Sequence, residues 1–184
     1  MATAFDAVSI VGVSGSPAAG SRSRTLLESA LGALERYGAR VRQIDLAGLP
    51  ADALLARRQD PTVADAVAAV LGARIIVVST PVYRATYSGL LKVFFDLLPQ
   101  DALAGKVAVA IATGATAARL LAIDHGLRPL LASVGAVVVP TSIYGVDSQF
   151  RDGGKAPDAA LLQHVERAAA EAATLAGLVP ALET

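Results

Sequence analysis

Five short apolar runs, separated by segments with helical periodicity, constrain this chain more than any other feature. Ala7–Ser14, Ile75–Ser79 and Val107–Ala112 are each too short for a core helix, and each runs into a loop of Gly, Pro, Ser or Thr. Val41–Leu46 and Ala136–Val139, the latter closed by Pro140, complete the set. Between them the spacing predicts helices over Arg22–Tyr37, Pro61–Gly72, Ser88–Leu98, Ala117–Val134 and Asp158–Leu175. In the first, Leu26, Leu27, Ala30, Leu31 and Leu34 fall on one stripe, and Gly38 stands where a helix C-terminal glycine belongs. Asp60-Pro61 reads as an N-cap followed by proline at the first helical position. Strands that are apolar throughout need cover on both faces. The expectation is an α/β three-layer sandwich with a five-stranded parallel sheet. A length of 184 residues suits one domain over 1–184 with a full core. Gln149–Pro157 reads as a long, polar, Gly-rich loop with freedom to move.

Composition removes several classes of function. With 54% hydrophobic and 17% charged residues the chain is not a disordered one. Sixteen basic residues balance sixteen acidic ones, so no net field draws it to nucleic acid or anionic lipid. The absence of cysteine excludes a disulfide framework, a thiol nucleophile and a thiolate metal site. His125 and His164 are too far apart in the chain to suggest a metal cluster, and no metal is expected. The opening MATAFDAVSI has no basic n-region and carries Asp6, unlike a signal peptide. Pro129–Val146, the most apolar uncharged stretch, is interrupted by Gly135 and Pro140, unlike a membrane span. A cytoplasmic, soluble protein is the expectation.

In a sheet of this class ligands bind at the carboxyl ends of the strands, which directs attention to the loops after the first, third, fourth and fifth strands; the first three of these carry candidate residues. After the first strand, Ser14-Gly15-Ser16-Pro17-Ala18-Ala19-Gly20-Ser21-Arg22-Ser23-Arg24 runs directly into a helix. Unpaired N–H groups at that helix end, with hydroxyls and an arginine beside them, make a phosphate cradle; an ordinary turn with Ser21 or Ser23 as N-cap fits the same residues. Neither a Walker A nor a G-x-G-x-x-G pattern is present, so a monophosphate suits the loop better than a triphosphate or a Rossmann-bound dinucleotide. After the third strand, Thr80–Gly89 holds Tyr83 and Tyr87, two of the four tyrosines, which offer flat faces to a heterocycle or pack at a helix start. After the fourth, Thr113-Gly114-Ala115-Thr116 offers backbone N–H groups to a ring edge, or a plain turn capped by Thr116. His125 lies mid-helix beside Asp124, and adjacent helical residues do not face each other; it is expected to pack or to sit in an interface, and His164 to lie at the surface. No Ser–His–Asp set and no carboxylate pair follows from the spacings. No catalytic side chain is expected, which suits chemistry carried by a bound cofactor.

Taken together these loops resemble the NAD(P)H-dependent FMN reductase family, which has a flavodoxin-like fold. The likeness is closest to the reductases of two-component alkanesulfonate and methanesulfinate monooxygenase systems. It is carried by Gly15-Ser16-Pro17…Ser21-Arg22-Ser23, Ala56-Arg57, Thr80–Lys92, Phe95-Asp96-Leu97-Leu98, Ala112-Thr113-Gly114 and Asp124–Leu130, in order from near residue 9 to about 149. The run Pro81-Val82-Tyr83…Tyr87-Ser88-Gly89-Leu90-Leu91-Lys92 is the most specific.

The resemblance implies FMN phosphate at Ser16, Ser21, Arg22 and Ser23. It implies the isoalloxazine against Pro81, Val82, Tyr83 and Arg84, with Thr113, Gly114 and Ala115 on the pyrimidine side. Ala115 stands where the family usually has a second glycine, and a left-handed backbone there would strain alanine. The implied reaction is hydride transfer from NADPH or NADH to FMN, with FMNH2 leaving for a flavin-dependent monooxygenase. Relatives are dimers or tetramers, which implies a homodimer or homotetramer here, and Arg84 and Arg119 are candidates for a 2′-phosphate contact. The low aromatic content adds an expectation of loosely held, exchangeable FMN. Other readings are a quinone or azo-dye reductase with fixed FMN, a flavodoxin-type electron carrier, and a non-enzymatic scaffold. The zero net charge argues against the carrier, whose kind is typically acidic.

Overall fold

A computed structural model describes residues 9–179. Its sheet contains β1 (Ser9–Ser14), β2 (Arg40–Asp45), β3 (Ile75–Pro81), β4 (Val107–Gly114), β5 (Val137–Val138) and β6 (Ile143–Val146). Positions 7 and 8 of the expected first strand lie outside the described residues. The helices are α1 (Arg22–Glu35), α2 (Ala51–Leu54), α3 (Pro61–Gly72), α4 (Gly89–Phe95), α5 (Arg128–Ser133) and α6 (Ala159–Leu175). Every pairing in this sheet is parallel, in the order β2-β1-β3-β4, and the fifth place beside β4 is taken by β5 and then by β6.

Continuous apolar strands follow from two separate cores. Ile75 and Val77 face a cluster with Leu26, Leu27 and Leu34 of α1 and Val165, Ala168 and Ala172 of α6. Ile76 and Val78, one residue out of phase, face Val63 and Val70 of α3, Phe94 and Phe95 of α4 and Leu131 of α5. The predicted stripe on α1 is its buried face. That helix ends at Glu35, two residues before the expected Tyr37, and Gly38 follows at φ +78°. Asp60 caps α3 by accepting the N–H of Thr62 at 3.0 Å. The hydroxyl and N–H of Thr62 hold the Asp60 carboxyl below its ordinary range. No helix among the described residues is long and apolar enough to cross a membrane.

Three expectations change. The helix foreseen over Ala117–Val134 is broken into a 3-10 turn (Ala117–Arg119), a π-helical turn (Ile123–Leu127) and α5. Pro129 has no N–H for the His125 carbonyl, and Arg128 instead bonds Ile123, five residues back. His125 therefore lies on a widened turn, exposed, as His164 is on α6. Second, Pro140 ends β5, and the fifth strand place resumes as β6, a segment too short and Gly-interrupted to declare itself. Third, the Gln149–Pro157 segment is a closed hairpin rather than an open loop: β7 (Phe150–Arg151) pairs antiparallel with β8 (Ala156–Pro157).

Gly135 turns the chain from α5 into β5 at φ +88°, and a Cβ there would lie 3.1 Å from the Ala104 nitrogen. Gly135→Ala combines a left-handed penalty with backbone crowding and should destabilise the fold by roughly 2 kcal/mol. Thermal unfolding measures this; a melting temperature within about 1 °C of the parent would refute the left-handed turn.

Candidate functional site

Strand order reverses across β1 and β3, because the chain leaves β1 toward β2 on one side and returns to β3 on the other. The loops after β1, β3 and β4 open at this point, where an α/β sheet binds ligands. Backbone and hydroxyl bonds tie them together. Gly15 N–H donates to the Ser79 carbonyl at 2.8 Å, and Val82 N–H to the Thr113 carbonyl at 2.7 Å. Ser88, 1% exposed, donates its hydroxyl to the Gly15 carbonyl and accepts the Leu91 N–H at 3.1 Å, capping α4. Thr80 accepts the Ser88 N–H at 2.9 Å and donates to the Pro81 carbonyl at 3.0 Å.

Ser21 occupies the N-cap position of α1 in extended backbone, yet its hydroxyl caps nothing. It shares a 2.8 Å hydrogen bond with the hydroxyl of Ser23, which is fully buried and stands behind Ser21 rather than on the cleft wall. Ser16 accepts the Ala18 N–H at 3.2 Å and so shapes the loop. The first turn of a fourteen-residue helix thus presents its N–H groups without a side-chain cap. They open onto a cleft of about 320 Å³. Its walls include Ser16, Ser21, Arg22, Pro81, Val82, Tyr83, Thr113, Gly114 and Ala115, nine of the positions singled out in the sequence. Arg22 is engaged: its guanidinium lies 3.0 Å from the Asp147 carboxylate and 6.0 Å from the Phe150 ring centroid.

The turn after β3 is a two-residue hairpin. Tyr83 N–H donates to the Thr86 carbonyl at 2.9 Å and Thr86 N–H to that of Tyr83 at 3.1 Å. Arg84 and Ala85 between them have φ +49° and +70°, positions that normally call for glycine or asparagine. Each costs about 1 kcal/mol of backbone strain, carried by a turn clamped through Thr80 and Ser88. The two tyrosines separate. Tyr83 is 47% exposed at the cleft mouth, whereas Tyr87 packs against the α4-side core. Arg84 projects into an adjoining recess of about 560 Å³ shared with Val82, Tyr83, Ala85 and Arg119. Neither Arg84 nor Arg119 forms an ion pair among the described residues.

On the third wall, a Cβ on Gly114 would collide with the Tyr144 hydroxyl, which donates to the Thr116 carbonyl at 2.8 Å. Burial pushes the Tyr144 hydroxyl above its ordinary value, opposed by Arg119 and aided by Asp147, so it remains a neutral donor at neutral pH. Ala115 is not among the left-handed residues, and the strain anticipated for it is absent. Thr116 precedes the 3-10 turn without capping it. Sequence spacing passed over Asp147, Tyr144 and the tie made by Ser88. Asp147 and Tyr144 reach the site only because β6 pairs with β4. A larger groove of about 910 Å³, bounded by Arg57, Arg58, Val63, Val67 and Leu97, gathers none of these loops.

A doubly wound sheet with an uncapped helix N-terminus at its switch point is the architecture of a phosphate-bearing-cofactor protein of the flavodoxin-like class. An archaeal flavodoxin, 12% identical, superimposes with a TM-score of 0.62 over 92% of this chain and 99% of that one, a likeness of fold alone. Residues 8–151 match the family described as NADPH-dependent FMN reductase, and the chain belongs to that family. FMN reductase (NADPH) of Pseudomonas putida is 39% identical over 85% of this chain and 80% of its own. The NADH-dependent FMN reductase SfnE of Pseudomonas putida is 32% identical over 95% and 96%. The apo crystal structure of an NADH:FMN oxidoreductase (EMOB), 38% identical, superimposes with a TM-score of 0.83 over 94% of this chain and 90% of that one. The protein is an NAD(P)H-dependent FMN reductase, an oxidoreductase that uses FMN with a nicotinamide nucleotide.

Ser88→Ala removes the α4 cap and leaves the Gly15 carbonyl buried without its donor. It should destabilise the protein by roughly 2–3 kcal/mol in urea unfolding; a change below about 0.5 kcal/mol would contradict the tie.

Proposed function

We propose that the three-walled cleft binds FMN as an exchangeable substrate within a single domain. The α1 N–H groups, Ser16, Ser21 and Arg22 receive the phosphate, and Ser23 orients Ser21. Pro81, Val82 and Tyr83 flank the isoalloxazine, and Thr113, Gly114 and Ala115 meet its pyrimidine edge. The observation that carries this reading is the uncapped α1 terminus facing a cleft whose opposite wall is apolar. One end suits a dianion and the other a planar ring. The absence of a Cβ at Gly114 lets the Tyr144 hydroxyl close in on that loop and bond the Thr116 carbonyl.

FMN supplies the redox chemistry, accepting a hydride from NADPH or NADH and leaving as reduced flavin. The protein's own part is placement and electrostatics. Arg84 and Arg119, without carboxylate partners among the described residues, line the recess beside Tyr83 and receive the anionic part of the nicotinamide nucleotide. The 113–116 backbone favours negative charge on the pyrimidine side. The likeness to the Sfn reductases supports a partner monooxygenase of the sulfonate or sulfinate type. We further infer a cytoplasmic homodimer or homotetramer.

Stripped protein should oxidise NAD(P)H in air with a hyperbolic dependence on added FMN. Saturation at one FMN per subunit, with turnover only when a quinone or azo dye is present, would instead make FMN a fixed prosthetic group. Arg22→Ala removes a charged phosphate donor and should raise the FMN dissociation constant roughly tenfold or more while leaving riboflavin binding unchanged. Equal losses for both flavins in a binding titration would remove the phosphate from Arg22.

A further inference from the structure

We propose that Asp147 is an electrostatic brake on flavin binding: its carboxylate holds Arg22 across the phosphate end of the cleft, so FMN must displace it and is held loosely enough to leave. The inference rests on placing the FMN phosphate at Ser21 and Arg22.

Asp147 and Arg22 reach the cleft from opposite sides, one just beyond the end of β6 and the other from the first turn of α1. Their 3.0 Å ion pair stands on the same wall as Ser16 and Ser21. A carboxylate here has two readings: it orients Arg22, or it competes with an incoming anion. Orientation is already supplied by other contacts. The Arg22 guanidinium lies over the Phe150 ring at 6.0 Å, and a Cβ on Gly154 would lie 3.0 Å from Arg22 Cγ, so the hairpin of β7 and β8 packs along one side of the side chain. These contacts of Phe150 and Gly154 with the arginine do not depend on the charge of Asp147.

What Asp147 does contribute is a negative charge beside the seat of a phosphate dianion. Both partners are about half exposed, at 41% and 47%, so the pair is weak enough for a strong anion to exchange with the carboxylate. The same exposure leaves room for the displaced carboxylate to turn to solvent. Bound phosphate then gains the Arg22 contact but meets Asp147 as a like charge, and the affinity for FMN falls below what the loop alone would give. Riboflavin, which has the ring and no phosphate, does not encounter this brake. The device suits a flavin that has to leave.

The test is a titration of the full chain with FMN and with riboflavin, comparing the parent, Asp147→Asn and Asp147→Ala, at about 0.05 M and 0.5 M salt. Alanine is included because an asparagine amide could itself donate to the phosphate. Both variants should bind FMN about tenfold more tightly at low salt, leave riboflavin unchanged, and lose most of the advantage at high salt. FMN binding that is unchanged or weaker in the variants, with the parent still preferring FMN to riboflavin, would overturn the brake and leave the phosphate seat intact. Tightening by asparagine alone would also overturn it. A parent that binds both flavins equally would bring down the phosphate seat and the brake with it.

Discussion

A parallel sheet covered on both faces leaves almost nothing free along its strands. In β1, β3 and β4 one residue in two is committed to the α1–α6 core and the alternate one to the α3–α4–α5 core. Chemistry is therefore displaced to the carboxyl ends, where backbone must leave the sheet and its polar groups need new partners. The hydroxyls of Thr80 and Ser88 meet that need. They join the loop after β1 to the turn after β3 and start α4 in the same set of bonds.

The site built on this frame consists mostly of backbone. Ser21 stands at a helix start without capping it, and Ser23 behind it fixes where its hydroxyl points. The left-handed pair Arg84–Ala85 is held by a clamp on either side, so the turn carries its arginine outward while Tyr83 stays at the mouth. Such a site binds and orients; the carboxylate on its walls, Asp147, is paired with Arg22. That suits an enzyme whose reaction belongs to FMN and a nicotinamide nucleotide, with the protein supplying position and a preorganised field.

The segments that the periodicity misjudged lie next to this site. Pro129 turns the expected long helix into a π turn, and Gly126 on that turn approaches Thr86 and Tyr87 so closely that a Cβ would collide with the Thr86 hydroxyl. The fifth strand, interrupted at Pro140, delivers Tyr144 to the Gly114 loop and Asp147 to Arg22. Local departures from regular helix and strand are what bring remote residues to the cleft.

Sequence by itself determined the layers. Short apolar runs dictated strands, the stripe on α1 dictated its buried face, and Asp60-Pro61 and Gly38 marked helix ends through local backbone preferences that need no distant partner. It also pointed to the loops at the carboxyl ends of the strands, because a parallel sheet covered on both faces leaves its ligands nowhere else to bind. Tertiary structure alone decided how those loops are used. That Tyr83 stays exposed while Tyr87, half-buried, packs against the core, that Ser23 withdraws behind Ser21, and that Asp147 meets Arg22 are outcomes of strand register and helix approach. Contacts between residues more than a hundred positions apart leave no periodic mark in the chain. They exist only once β6 has paired with β4 and α1 has settled on the sheet.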